Sequence, residues 1–426
     1  MWACLYVILF ILFVILSKVL LGSIKNPVSI FTLIWTIVGV GANLNIYEYY
    51  SPSDFVNFII AFSILCTFFM YTVFLKGYSK QFFCNEIVLD NENIQLFLVI
   101  VVNVIAIVIL IPYIGSAIKY ILAGGFSSLR AQSSNIISNG SIAVIADSII
   151  RPIFTATTIV VIVFSFTKNS IKKKIMLLLF CIVENIELVI ITGGRAPIVN
   201  LIFYCLIALI LFYGRSILNL LKYGKKYVMM VVVAVAIVII ITSSRNLKGG
   251  NNIVLYNLFV YYFSGPSYMT RLLDAYPQYA INGQHLYGAA SFGYITNIWS
   301  DIMIFFTGQS QGSLYLLGSV ITNNNLSVGV HTSINAMCTC FYPFLLDYGR
   351  FGILICPIMI AIYSSVITKI VYKRRNIFSV SLYVYWTYVM IRTVFKWDLV
   401  NIDFIVIIII LYLFTHPRKR KILIKR

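Results

Sequence analysis

The feature that most limits what this chain can fold into is a succession of apolar runs, each near the length of a membrane-crossing helix. Crossing a hydrocarbon layer of about 30 Å takes about 20 mostly apolar residues in helical form. Eleven stretches approach that length: 3–22, 28–46, 55–76, 94–115, 150–167, 175–192, 196–213, 227–242, 351–368, 377–396 and 402–416. Composition closes the alternatives. Charged residues are 11% of the chain and hydrophobic residues 61%, against roughly 25% charged in soluble domains. So little charge cannot cover a water-facing surface of ordinary size, and so much apolar surface excludes a disordered chain. The first stretch lacks a basic leader, carries Lys18 at its far end and precedes no small-residue cleavage site. It reads as an uncleaved helix. The expectation is an all-α, polytopic integral membrane protein of about 11 (10–12) transmembrane helices, spanning 1–426 as one membrane domain.

The net charge of +19 is a statement about topology. On one set of loops lie 22 of the 32 basic residues and three acids, Glu86, Asp90 and Glu92. The whole positive excess therefore sits on one side, which the positive-inside rule makes cytoplasmic. The C-terminus is expected inside and the N-terminus outside. Segments 116–149 and 243–350 then face outward as a first outer loop and a long outer loop. A basic face explained by topology gives no support to nucleic acid as a partner; the lipid bilayer is the partner it implies.

Several chemistries have no foothold. There is no G-x-x-x-x-G-K-[ST] loop, no G-x-G-x-x-G turn and no D-x-D pair, so neither a nucleotide nor a metal-held nucleotide sugar is indicated. The only histidines are His285, His331 and His416, and no cofactor or metal is expected. Among the eight cysteines, Cys338 and Cys340 form an outward pair two residues apart. That spacing suits free thiols better than a mutual disulfide.

The long outer loop holds the candidate chemistry. It has 108 residues with seven charges, and 15 aromatics fall between Tyr256 and Tyr315. Such a loop is expected to fold back as short helices at the membrane interface, where Tyr and Trp rings are favoured. Two readings of the rings stand: an aromatic belt, or a surface whose polar-tipped rings stack on a sugar. Outward arginines outnumber outward lysines. Arg130, Arg151, Arg195, Arg245, Arg271, Arg350 and Arg392 all lie near outer span ends. The planar guanidinium fork grips phosphate in a bidentate way, which suggests an anionic ligand such as a lipid diphosphate. Arg151 has a plainer reading, pairing with Asp147 four residues before it.

Arg195 stands out. It occupies Thr192-Gly193-Gly194-Arg195-Ala196-Pro197, squeezed between two spans. Glycines allow a tight turn, Pro197 suits the first turn of the next helix, and that helix start attracts anions. Glu184, Asn185 and Glu187 precede the turn at membrane depth, where ionisable groups mark function by default; for Glu187 the alternative is neutralising an arginine. Arg245 follows a span directly and reads equally as a snorkelling anchor. His331 is a candidate proton acceptor, with a structural hydrogen bonder as the alternative. Asp347 is a second candidate base, or an N-cap opening the next span.

At these residues the chain resembles the Wzy-type polymerases of O-antigen and capsular oligosaccharide repeat units. The resemblance lies in the Thr-Gly-Gly-Arg turn at 192–195 and in Tyr261-Tyr262-Phe263-Ser264-Gly265-Pro266. It continues through Leu286-Tyr287-Gly288 and His331-Thr332-Ser333 to Asp347-Tyr348-Gly349-Arg350-Phe351-Gly352, with Gly124-Gly125 and Arg130 upstream. It implies a metal-independent glycosyltransferase similar in architecture to the lipid-sugar (GT-C-like) polymerases and ligases. The implied substrate is an undecaprenyl-diphosphate-linked oligosaccharide, and a chain-length regulator protein is a further implied partner. The terminal hydroxyl of one repeat unit would attack the anomeric carbon of a growing chain, releasing undecaprenyl diphosphate at the outer face of the bacterial inner membrane. His331 and Asp347 are then the candidate catalytic residues. Arg195, Arg245, Arg130, Arg271, Glu187 and Tyr262 would bind diphosphate or glycan. A flippase of the same lipid-linked units and an O-antigen ligase are the alternatives.

Overall fold

A computed structural model of the chain describes residues 1–78, 89, 93–131, 136–137, 140–213, 229, 232, 253–280, 283–308, 314–330, 332–335 and 338–416. The helices in chain order begin with α1 (Trp2–Leu21), α2 (Pro27–Ala42), α3 (Asp54–Phe74) and α4 (Leu96–Ala131). Next come α5 (Gly140–Ile145), joined by a π-turn to α6 (Arg151–Ser165), then α7 (Ile171–Thr192) and α8 (Ala196–Tyr213). The long loop contributes α9 (Ile253–Phe263), α10 (Gly265–Ala275), α11 (Pro277–Ala280), α12 (Tyr294–Thr307), α13 (Leu314–Thr322) and α14 (Tyr342–Tyr348). The chain ends on α15 (Gly352–Arg374), α16 (Ile377–Arg392) and α17 (Asp403–Thr415). The two-residue strands β1 (Leu326–Ser327) and β2 (Ser333–Ile334) pair antiparallel.

Among the described residues, seven helices are long and apolar enough to cross a membrane: α1, α3, α4 as far as Gly125, Ser141–Ser165, α7, α8 and Tyr342–Arg374. Shorter apolar helices α2 and α17 accompany them. The chain is a multi-pass membrane protein by this measure. The expected span 227–242 falls almost wholly outside the described residues, so a count of eleven goes beyond them.

Local chemistry sets the helix ends. Asn26 caps α2 by accepting the Ser29 N–H at 2.8 Å, with Pro27 in the first turn. Asn376 and Ser379 form a reciprocal capping box at the start of α16, satisfying donors that the first turn leaves unpaired. Gly22 closes α1 in the left-handed region at φ 77°.

Packing places two helices at the centre. α6 contacts α4, α7, α8, α16 and α17, and α16 contacts α2, α6, α8, α15 and α17. Centrality explains why α16 is rich in polar-tipped side chains: a protein neighbour supplies hydrogen-bond partners that lipid does not. The Trp386 indole donates to Ser364 Oγ at 2.8 Å, and the Tyr383 hydroxyl to the Lys25 carbonyl at 3.2 Å. α1, by contrast, turns Val7, Ile8, Ile11, Ile15 and Val19 outward, as a helix at the lipid boundary should.

Two expected loops are partly helical, and one expected local role is corrected. In segment 116–149, α4 runs on to Ala131, broken only at Gly124–Gly125, where Gly125 has φ 68°. Helix-forming residues continue past the length a membrane demands, so a span drawn by length alone stops short. Within 243–350 the short helices are present, but α10 and α14 are buried rather than laid on a surface; Tyr268, Leu272, Tyr342 and Phe344 are fully enclosed. Asp347 is not an N-cap. It lies one residue from the end of α14, with its carboxylate spent elsewhere.

Candidate functional site

The Gly193–Gly194 turn forms because α7 ends on Thr192, whose hydroxyl donates back to the Leu188 carbonyl at 2.6 Å. The same oxygen accepts the Gly194 N–H at 3.1 Å. Gly193 takes φ 58°, where a side chain would be strained. The chain then reverses, and the Arg195 carbonyl accepts the Val199 N–H at 3.1 Å to start α8. The Arg195 guanidinium lies 4.7 Å from the centre of the Tyr261 ring, a cation–π contact that fixes its plane. Tyr262 packs on Phe395 at 5.3 Å between centroids. Burial pushes the Tyr262 phenol up from its ordinary range, and the nearby Arg195 charge opposes that shift.

Beside this turn lies a partly open cavity of about 270 Å³ lined by residues of α6, α7, α8, α16 and α17. Gly194, Ala196 and Pro197 form part of its wall, so the positive end of α8 faces into it. Arg151, Arg392 and Lys396 contribute three cations to the lining; Asp398 and Asp403 contribute two acids. Arg151 pairs with Asp147 at 2.9 Å, both largely exposed, which bears out the plainer expectation for it. Asp398 Oδ1 is shared between Arg392 at 3.2 Å and Lys396 at 3.5 Å. Asp398 is 6% exposed, and its Oδ2 has no hydrogen-bond partner among the described residues. Burial, and then the adjacent Arg392, lower the Lys396 ammonium below the usual lysine range; Asp398 pulls the other way.

A second cluster lies next to the first. Asp347, 1% exposed, accepts the Ala290 N–H at 2.9 Å on Oδ1 and the Ser291 N–H at 2.6 Å on Oδ2. The Ser291 hydroxyl also donates to Oδ2. Leu286 N–H donates to the Leu346 carbonyl at 2.9 Å, and the His285 ring sits against Gly349, where an added Cβ would meet it at 2.6 Å. Two sequence runs some sixty positions apart are thereby brought together. Trp397 joins the clusters: its indole donates to the Ser291 carbonyl at 2.8 Å, while its neighbours Lys396 and Asp398 line the cavity.

The residues named from sequence divide accordingly. Arg195 and Tyr262 lie near each other at the turn, and neither belongs to the cavity wall. Arg271 lies on α10, 3.9 Å from Asp274 and 4.5 Å from the Tyr50 ring centre, and does not line the cavity. Glu187 is buried on α7, 3% exposed, and among the described residues neither carboxylate oxygen has a hydrogen-bond partner and no arginine pairs with it. It too is absent from the cavity wall. Asp347 is a clamp whose oxygens are already engaged by neutral donors. Arg245, His331 and the Arg130 side chain lie outside the described residues. Cys338 and Cys340 are buried free thiols, and burial pushes Cys338 up to about 12.

Sequence reading missed Lys396 and Asp398. It took 377–396 as one span, whereas α16 ends at Arg392. The available signal was the run Arg392-Thr393-Val394-Phe395-Lys396-Trp397-Asp398, three charges within seven residues at a span end. No protein-family model matches the chain, and no curated protein or solved structure matches it either.

Proposed function

We propose that this chain is a metal-independent glycosyltransferase that polymerises undecaprenyl-diphosphate-linked oligosaccharide repeat units at the outer face of the bacterial plasma membrane. The observation that carries this reading is the partly open cavity beside the Arg195 turn, with Arg151, Arg392 and Lys396 in its wall. It lies where the span ends assigned outward by the basic-residue pattern converge: the starts of α6, α8 and α17 and the ends of α7 and α16. A departing diphosphate gains negative charge as the glycosidic carbon–oxygen bond breaks. Fixed cations and a helix N-terminus in a low-dielectric site stabilise that charge more in the transition state than in the ground state. The lining Arg392, Lys396 and Arg151 supply them, and Arg195, held against Tyr261 on the adjoining turn, would act from outside that wall. Tyr261 and Tyr262 offer rings for the glycan.

In the step itself, the terminal hydroxyl oxygen of one lipid-linked unit bonds to the anomeric carbon of the growing chain. The bond from that carbon to the diphosphate oxygen breaks, and the hydroxyl proton passes to a base. His331 is the proposed base. Asp347, with its oxygens held by Ala290 and Ser291, is assigned to positioning the 285–291 loop. The lipid diphosphate leaving group supplies the driving force.

The test is made in cells lacking the gene, with surface glycan resolved on a gel and complementation by wild type and Arg195→Ala. Single repeat units on their usual anchor, restored to a ladder by wild type but not by a membrane-inserted Arg195→Ala chain, support polymerisation and the site. No repeat unit at the surface favours a flippase. Full-length chains stranded on the lipid carrier favour a ligase.

A further inference from the structure

Helix α7 carries two carboxylates that the site above does not use. Glu184 and Glu187 stand three residues apart, so they are neighbours on one helix face, and they are 0% and 3% exposed. Among the described residues none of their carboxylate oxygens has a hydrogen-bond partner, and no cation forms a salt bridge with either. Glu184 lies eight residues before α7 ends at Thr192, about 12 Å along the axis at 1.5 Å per residue. The groups around the pair bring no positive charge. Cys181 on α7 interacts electrostatically with Glu184, and Cys205 on α8 with Cys181. α6 offers Thr158, which receives the Asn185 amide at 3.1 Å and lies 3.6 Å from the Cys181 thiol. α4, which also packs on α7, has its buried Asn103 amide bound to Thr157. On the outside of α7, Val183 and Ile186 are about half exposed, while Asn185 and Leu188 line the cavity. The two acids thus lie between a lipid-facing stripe and the cavity wall. An ionised carboxylate buried without partner or counter-ion is strongly disfavoured, and two such charges side by side repel each other. A protonated carboxyl carries neither penalty.

We infer that Glu184 and Glu187 form an intramembrane proton-binding site, an acid pair that holds at least one proton at neutral pH. The inference goes beyond the function proposed above and does not rest on it. Ionisable groups at membrane depth mark proton and ion sites by default, and this pair lacks the counter-ion that a structural role would supply. Asn185 and Thr158 belong to the cavity wall, and the Cys181 thiol meets both Thr158 and Glu184. Polar atoms in this way connect the pair to the cavity. The carboxyls add nothing to packing that a neutral amide of the same shape would not, because buried polar atoms without partners lower stability. Gln at both positions therefore removes the proton site and leaves the fold.

The experiment uses the full chain purified into lipid nanodiscs at neutral pH, with infrared spectra in H2O and D2O. A carboxylic-acid carbonyl band that shifts in D2O is expected in wild type and should be missing from the Glu184→Gln, Glu187→Gln double variant. Each single Gln variant should remove its share of the band, so the reading survives a double variant that fails to insert. The second arm is dicyclohexylcarbodiimide, which reacts with the acid form alone. The carboxyl oxygen bonds to the central carbon of the reagent, the acid proton passes to its nitrogen, and nothing leaves. An adduct located on Glu184 or Glu187 by mass spectrometry supports the site and places it within reach of the lipid. Loss of the band without an adduct supports the site and places it beyond the reagent's reach. An identical band in wild type and the Gln variants overturns the inference. Disappearance of the wild-type band on adding sodium chloride at fixed pH overturns it as well, by assigning the pair to a metal cation. A double variant that loses the band yet restores the glycan ladder leaves the proton site standing and separates it from polymerisation.

Discussion

Asp347 and Asp398 are both buried aspartates, joined through Trp397 and Ser291, yet their surroundings are opposite. Asp347 receives the Ala290 and Ser291 N–H groups and the Ser291 hydroxyl, all neutral donors, and both oxygens are used. Asp398 faces two cations with Oδ1, and among the described residues its buried Oδ2 has no hydrogen-bond partner. A carboxylate that satisfies backbone donors has nothing to gain by moving. One that faces two cations contributes through charge, and its contribution depends on the protonation of Lys396. Position in the sequence does not separate them, since each follows a hydrophobic run closely.

The largest expected effect tests the rigid half of this contrast. Asp347→Ala leaves two buried backbone donors orphaned and should cost about 4 kcal/mol, at about 1–3 kcal/mol for each unsatisfied group. A fall in the thermal unfolding midpoint of the detergent-solubilised protein reads it out. Unfolding close to that of wild type would mean the 285–291 loop is not held by this carboxylate.

Next comes pH. Only the protonated Lys396 attracts an anion, and burial with Arg392 at its side sets its proton loss below the ordinary lysine value of about 10.4. Pyrophosphate affinity should therefore fall as pH rises through the Lys396 pKa, by about tenfold in all, because Arg392 keeps its charge. The fall should begin earlier than for an ordinary lysine and be absent in Lys396→Gln. An identical pH profile in that variant would take Lys396 out of the site.

Trp397→Phe probes the link between the two aspartates. Losing the indole bond to the Ser291 carbonyl should lower stability by about 1 kcal/mol, with pyrophosphate affinity changed by less than about threefold. A drop in affinity as deep as that of Lys396→Gln would make the two clusters one functional unit. The smallest effect belongs to Asp147→Asn. Asp147 and Arg151 are 68% and 46% exposed at their side chains, and an exposed i,i+4 pair is worth about 0.3–0.5 kcal/mol. Thermal midpoints should barely separate; a loss several times larger would place this pair inside the ligand-binding electrostatics.

Legibility from sequence was uneven for identifiable reasons. The Arg195 turn was readable because Gly193, Gly194 and Pro197 each encode a backbone state locally, and the turn formed as those residues require. Asp347 was found as a notable residue and given the wrong local role, because its partners Ala290 and Ser291 are more than fifty positions away. Arg271 looked like its fellow outward arginines, but α10 carries it to Tyr50 and Asp274 instead of to the cavity. Lys396 was hidden at the end of an apolar run that helix α16 leaves four residues earlier.

The sequence by itself determined that this chain is built from membrane-length apolar helices and where several of them begin and end. Those properties follow from hydropathy, capping and charge, each of which acts over a few residues. Only the tertiary structure decided which charges face one another: that Arg151, Arg392, Lys396 and the start of α8 surround one cavity, and that Asp347 is a clamp. A charge's partner is set by how helices pack across hundreds of positions, and packing depends on the fit of whole faces, which no local pattern encodes.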